Sequence, residues 1–297
     1  MVQALACFGR AVEADPSYAA AHAAVAECHA VAGFAGFAAP ADVLPLARQA
    51  AGRAISLAPD LAEGHAVLGH VTGMCDWRWA DAEACFQRAL ASSPGYPLAR
   101  IWYSHLLTAS GRFDEALEET ARACECDPLS PTVRTTHGLA LYYARSFRRA
   151  EETFKAVLGS DPAFALAHFH LGRLYAVQGR FEEAVEQQAA AAAIPLALGF
   201  LAGSWKRLGR PDRAKEVVGE LEAVAKSRYV SPMAWYAAST GDVEAQLLWL
   251  ERALDAREGS VALLNTDAGL DHLRANRRFE ALIGRLGLPV VPIPPAR

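Results

Sequence analysis

Leu171-Gly172-Arg173-Leu174-Tyr175-Ala176-Val177-Gln178-Gly179-Arg180-Phe181-Glu182-Glu183-Ala184 is the stretch that decides the fold. An apolar run ends at a glycine, and a second run opens with two acids. The second half of this stretch recurs. Gly111-Arg112-Phe113-Asp114-Glu115-Ala116 stands 68 residues before Gly179-Arg180-Phe181-Glu182-Glu183-Ala184. Arg145-Ser146-Phe147-Arg148-Arg149-Ala150 lies midway, so the period is 34. Proline keeps the same time: Pro16, Pro59, Pro94, Pro128 and Pro162 are 43, 35, 34 and 34 residues apart. Alanine stands twelve residues before each, as Ala4, Ala47, Ala82, Ala116 and Ala150. A fixed period of this length marks a stack of small units, none able to bury its apolar face alone.

Each period reads as two helices. Apolar residues recur three and four apart on both sides of the glycine, for example over 98–110 and 114–125. Glycine closes the first helix because it tolerates the left-handed conformation, and proline stops the second because it cannot extend the hydrogen-bond ladder. Gly69, Gly138 and Gly172 are expected where the paired helices touch, with Phe86 and Phe154 as large fillers opposite. The first period carries about nine extra residues between Gly33 and Pro45, which read equally as a longer helix or as a flap. Repeats are expected to begin near Ser17, Asp60, Gly95, Leu129, Ala163, Leu196 and Ser227, after an unpaired helix in Met1–Pro16. The predicted organisation is a repeat array over 1–256, a helical cap over 257–289 and a proline-rich tail over 290–297.

This pattern of small residue, alanine, aromatic and proline resembles the tetratricopeptide repeat family. The resemblance implies an all-α solenoid of stacked antiparallel helix pairs in a right-handed superhelix. It further implies a non-catalytic scaffold that holds a peptide or helix of a partner in its concave groove. Thr120, Gln188 and Gln246 depart from the family pattern. A finer likeness lies in Asp76-Trp77-Arg78-Trp79, Tyr229-Val230-Ser231-Pro232, Trp249-Leu250-Glu251-Arg252-Ala253 and Leu270-Asp271-His272-Leu273-Arg274. These resemble the C-terminal repeat region of bacterial signalling proteins, where such arrays follow a winged-helix, serine/threonine kinase or nucleotide cyclase domain. The alternative role implied is the regulatory or sensor half of such a protein.

Composition narrows the classes. With 53% hydrophobic and 21% charged residues, the 297-residue chain is not of disordered composition. Lys and Arg total 29 against 33 Asp and Glu, a net charge of −4, so no basic field draws it to nucleic acid. A protein or peptide partner is expected instead. No apolar run approaches the ~20 residues of a membrane span. The six cysteines show no zinc spacing, which points to reduced thiols, a cytoplasmic protein and no metal or cofactor.

The candidate residues divide into packing and groove. Asp114-Glu115 and Glu182-Glu183 fall where a helix begins, and negative charge is favoured there. His22, His65 and His168 hold one position in three repeats, and His168 and His170 are spaced too closely to share a metal on a helix. The stripe expected to line the groove is His70, Trp102, His105, Leu139, Tyr142, Tyr143, Phe169, Arg173, Lys206 and Arg207. Trp, Tyr and Arg are the usual anchors of recognition surfaces. The family's Lys/Asn set for a peptide C-terminus is not evident. An enzyme reading would require an acid beside His70 and His105, and self-association would run through the first helix.

Overall fold

The computed structural model describes residues 2–227, 229–288 and 291. A leading helix α1 (Val2–Ala14) is followed by helix pairs. They are α2 (Ala19–Phe34) with α3 (Pro40–Leu57), α4 (Ala62–Met74) with α5 (Trp79–Ser92), and α6 (Pro97–Ala109) with α7 (Phe113–Cys126). Next come α8 (Pro131–Tyr143) with α9 (Phe147–Ser160), α10 (Ala165–Val177) with α11 (Phe181–Ala190), and α12 (Pro195–Arg207) with α13 (Pro211–Ser227). The last pair is α14 (Ser231–Thr240) with α15 (Val243–Asp255). The chain ends in 3-10 turns at Gly259–Leu263 and Ala268–Leu273 and in α16 (Arg277–Arg285). The fold is an all-α tetratricopeptide-type solenoid, with no strand among the described residues.

The periodic residues do the mechanical work their spacing implies. A Cβ on Gly138 would stand 2.6 Å from the Phe154 ring, and one on Gly172 would stand 2.7 Å from Gln188. The first helix of each pair is therefore pressed against the second where no side chain fits. Phe86 and Phe154 are fully buried in that contact. Two of the polar departures bond nearby backbone: Thr120 donates to Ala116 O at 3.0 Å, and Gln188 Nε2 donates to Gly172 O at 3.1 Å. Asp114 with Glu115, and Glu182 with Glu183, open α7 and α11. His22, His65 and His168 each bond the carbonyl of Pro16, Pro59 or Pro162 with Nε2, at 3.1, 2.7 and 2.9 Å. A carbonyl only accepts, so in each ring Nε2 carries the hydrogen. These histidines tie a helix to the proline turn before it.

The extra residues of the first pair lengthen both helices, and Pro45 lies inside α3. Phe34, at the end of α2, turns inward and packs over Gly259. The outer face of α1 is open: none of its residues is buried, and Val2 is 83% exposed.

Residues 258–288 lie in the stretch expected as a helical cap over 257–289. They form two 3-10 turns and one short helix rather than one long helix. Asp267 bonds the Gly269 N–H at 2.9 Å, and Asn276 bonds the Arg278 N–H at 2.9 Å. Each side chain thus starts a new turn and interrupts the helix that the apolar spacing alone favours. Nor is the segment a cap confined to the last pair. Besides packing on α15, it runs back along the inner wall of the array. Arg145 reaches Asp271 at 2.8 Å, and Trp79 Nε1 donates to Leu286 O at 2.7 Å. The physical reason is that the inner wall is itself apolar and needs covering. The tail expected over 290–297 lies, Val291 apart, outside the described residues.

Candidate functional site

The first helices of successive pairs, α2, α4, α6, α8 and α10, form the inner wall. On that wall the segment 258–274 is seated, and its anchor is the carboxylate of Asp267. Tyr142 OH donates to Asp267 Oδ1 at 3.0 Å, and Arg173 Nη2 donates to Oδ2 at 2.5 Å. Arg173 also donates to Tyr143 OH at 3.0 Å, and its guanidinium lies 4.5 Å from the Tyr142 ring centre. Asp267 and Arg173 are only 3% and 5% exposed. Burial opposes the Arg173 charge, but Asp267 and the two tyrosines hold its pKa well above the ordinary arginine value. Burial also pushes Tyr143 up to about 12 and Tyr142 well above the ordinary tyrosine value, so both hydroxyls stay protonated, Tyr142 as the donor to Asp267 and Tyr143 as the acceptor from Arg173.

A second anchor lies at the start of the segment. The Glu258 carboxylate accepts the Val230 N–H at 2.6 Å, the Ser231 N–H at 2.9 Å and the Ser231 hydroxyl. Burial raises its pKa, and these three donors offset part of that rise. The far end of the array is thereby pinned to the inner segment.

Beneath the segment is a cavity of about 370 Å3. His70, Trp102, His105, Leu139, Tyr143, Phe169 and Arg173 line it, so seven of the ten predicted groove residues converge on one space. Tyr142 lies behind them, bonded to Asp267. Lys206 and Arg207 do not join them. Both are exposed, Lys206 over Tyr236 and Arg207 over Phe181, and Arg207 borders a separate, more open hollow of about 340 Å3. His70 stacks on Trp102 at 4.5 Å, Phe34 lies 4.9 Å from His70, and His105 is 6.4 Å from His70. Across the cavity Phe169 lies 4.8 Å from His170 and 5.9 Å from Phe200, which stacks on Trp235 at 4.7 Å.

The chemistry of this interior is that of neutral rings. Burial lowers His70 to about 3 and His105 to about 4, and it lowers His170 well below the ordinary value. His70 and His105 sit side by side, yet no carboxylate among the described residues bonds either ring, so the acid an enzyme reading requires is not brought to them. Among the described residues no group of His, Cys, Asp and Glu is placed to hold a metal ion. Nor is any helix among them long and apolar enough to cross a membrane.

Sequence reasoning missed Phe34, His170, Phe200, Trp235, Glu258 and Asp267. His170 follows Phe169 on α10 and reads in the sequence as a companion of His168, although only His168 bonds a proline carbonyl. Asp267 carries no periodic signal at all.

Comparison with known proteins agrees with this geometry. Residues 78–137 match one tetratricopeptide repeat model and residues 135–197 match another. Residues 78–197 are thus built of tetratricopeptide repeats. Such arrays display extended concave binding surfaces, serve as protein-interaction scaffolds and are in general non-catalytic. Among solved structures, a human IFIT1 dimer with PPP-AAAA is similar at 18% identity and a TM-score of 0.63, over 85% of this chain and 67% of that one. The Cut9–Hcn1 hetero-tetramer of the APC/C is similar at 12% identity and a TM-score of 0.64, over 96% of this chain and 52% of that one. A thermophilic repeat protein of Thermus thermophilus, TTC0263, is similar at 22% identity and a TM-score of 0.52, over 60% of this chain and 98% of that one. At these identities the likeness is one of tetratricopeptide fold.

Proposed function

We propose that the protein is a non-catalytic scaffold whose concave groove takes an acidic, leucine-bearing peptide of a partner, and that its own residues 258–274 hold that place until a partner displaces them. One observation supports this above others. The groove residues Tyr142 and Arg173 already clasp a peptide carboxylate, that of Asp267, and Tyr143 accepts a hydrogen bond from Arg173. Leu263, Leu264 and Leu270 are buried around it. A neutral tyrosine donor and a guanidinium suit a carboxylate held by its two oxygens. The segment thus describes the ligand: a stretch of short 3-10 turns with an acid between buried leucines.

The test is fluorescence polarisation with a labelled peptide of the sequence 258–274. Binding is measured to the full chain and to its Asp267→Ala variant, in which the inner segment has lost its anchor. The expected result is at least tenfold tighter binding by the variant, with loss of that gain when the peptide carries Asn at the position of Asp267. Equal and negligible binding by both folded proteins would remove the groove as the recognition surface.

A further inference from the structure

Beyond peptide recognition, the interior holds polar groups that neither the fold nor the inner segment uses. His70 Nδ1, both ring nitrogens of His105, His170 Nδ1 and Arg173 Nε are buried without a hydrogen-bond partner among the described residues. Buried polar atoms in folded proteins are almost always paired. This chain follows that rule wherever a histidine has a structural role. His65 bonds Pro59 O at 2.7 Å, His137 bonds Thr120 at 2.9 Å and His168 bonds Gln187 at 2.7 Å. The histidines left unpaired are those that line the cavity. Its volume of about 370 Å3 equals the liquid share of about a dozen waters and falls within the ~300–1,000 Å3 range of small-molecule sites.

We propose that the space beneath residues 258–274 is a binding site for a small, uncharged, ring-bearing molecule that carries both a hydrogen-bond donor and an acceptor. Two clusters of rings line the cavity, Phe34, His70 and Trp102 in one and Phe169, Phe200 and Trp235 in the other. A flat apolar body stacks against such clusters. The imidazoles are neutral at physiological pH, because burial depresses all three. A neutral imidazole offers one N–H and one lone pair, which is the complement of a hydroxyl or an amide. The cation of the lining, Arg173, is already neutralised by Asp267 at 2.5 Å. An anionic ligand would therefore meet apolar walls and no free counter-charge, and burying such a charge is costly. Glu27, the other acid of the lining, has its carboxyl pKa raised by burial, which favours its neutral form over service as a partner for a cation.

The probe is 2-naphthol, a flat neutral molecule whose hydroxyl donates and accepts, compared with naphthalene and with 2-naphthoate. Binding to the full chain at pH 7.5 is followed by calorimetry and by quenching of tryptophan fluorescence. The expected result is saturable one-site binding of 2-naphthol, with 2-naphthoate at least tenfold weaker. His105→Phe keeps the ring but removes both nitrogens. It is expected to weaken 2-naphthol about fivefold, the worth of one ordinary hydrogen bond, and to leave naphthalene unchanged. Leu139→Trp, which fills the cavity, is expected to abolish binding of both. If that variant loses its helical circular dichroism, Leu263→Phe serves in its place. Absence of saturable 2-naphthol binding overturns the site. So does binding that ignores the filling variant, or 2-naphthoate binding as tightly as 2-naphthol.

Discussion

Lowering the pH from 7.5 to 5.5 should destabilise the protein by about 3 kcal/mol through His70 and His105 alone, and His170 acts in the same direction. His70, His105 and His170 are neutral in the fold, with pKa values lowered from 6.5 to about 3, to about 4 and well below 6.5 respectively. In the unfolded chain each titrates near its ordinary value. A depressed folded pKa contributes stability that is complete above the unfolded value and lost as pH falls toward the folded one. The window thus runs from about pH 6.5 down to about pH 4 for His105 and to about pH 3 for His70. One unit below the unfolded value, each ring costs roughly 1.4 kcal/mol by proton linkage. Burial also lowers His29, His137 and His272, which add to the slope of the whole protein. The decisive quantity is therefore a difference. Urea unfolding is followed by circular dichroism for the parent and for His105→Phe at both pH values. The parent should lose about 1.4 kcal/mol more than the variant between pH 7.5 and pH 5.5. A difference that stays flat within about 0.5 kcal/mol would mean that His105 takes up a proton in the fold, and the burial argument would fail.

Other outcomes are equally definite. Asp267→Ala leaves the Arg173 guanidinium buried and unpaired, which costs about 3–5 kcal/mol. Limited proteolysis should then cut within 258–274, where the parent resists. Phe154→Ala should cost about 3–5 kcal/mol in thermal unfolding, because the ring is fully buried between α8 and α9. A Cβ at Gly199 would stand 2.1 Å from Pro232 O, where α12 meets α14, so Gly199→Ala should lower Tm sharply. Gly219, in α13, has nothing within 4 Å of such a Cβ, and Gly219→Ala should raise stability by about 0.5–1 kcal/mol in the same thermal measurement.

The parts of the fold legible in the sequence are those fixed by near neighbours. Pro128 and Pro162 end helices two residues earlier, at Cys126 and Ser160. Gly138 and Gly172 lie where their spacing implies, because contact within a pair depends on residues 16 positions apart, such as Gly138 with Phe154 and Gly172 with Gln188. The stripe from His70 to Arg173 is likewise legible as one face. What the sequence hides is its cover. Asp267 finds Tyr142 125 residues away and Arg173 94 residues away, and no period links them. Leucines at helical spacing between 270 and 286 favour one helix, but the side chains of Asp267 and Asn276 bond the following backbone and break it. Register alone places Lys206 and Arg207 with the stripe, whereas at that end of α12 the face has turned outward.

The return of the last residues along the inner wall changes how the molecule must assemble. In an ordinary repeat array each unit meets only its neighbours, so unfolding can begin at one end and spread. Here one length of chain touches α2, α4 and α6 through residues 259–263 and grips α8 and α10 through Asp267. The units from α2 to α10 therefore rise and fall together. During synthesis the early helices emerge with an uncovered apolar hollow, which is sealed only when the residues from Glu258 onward leave the ribosome.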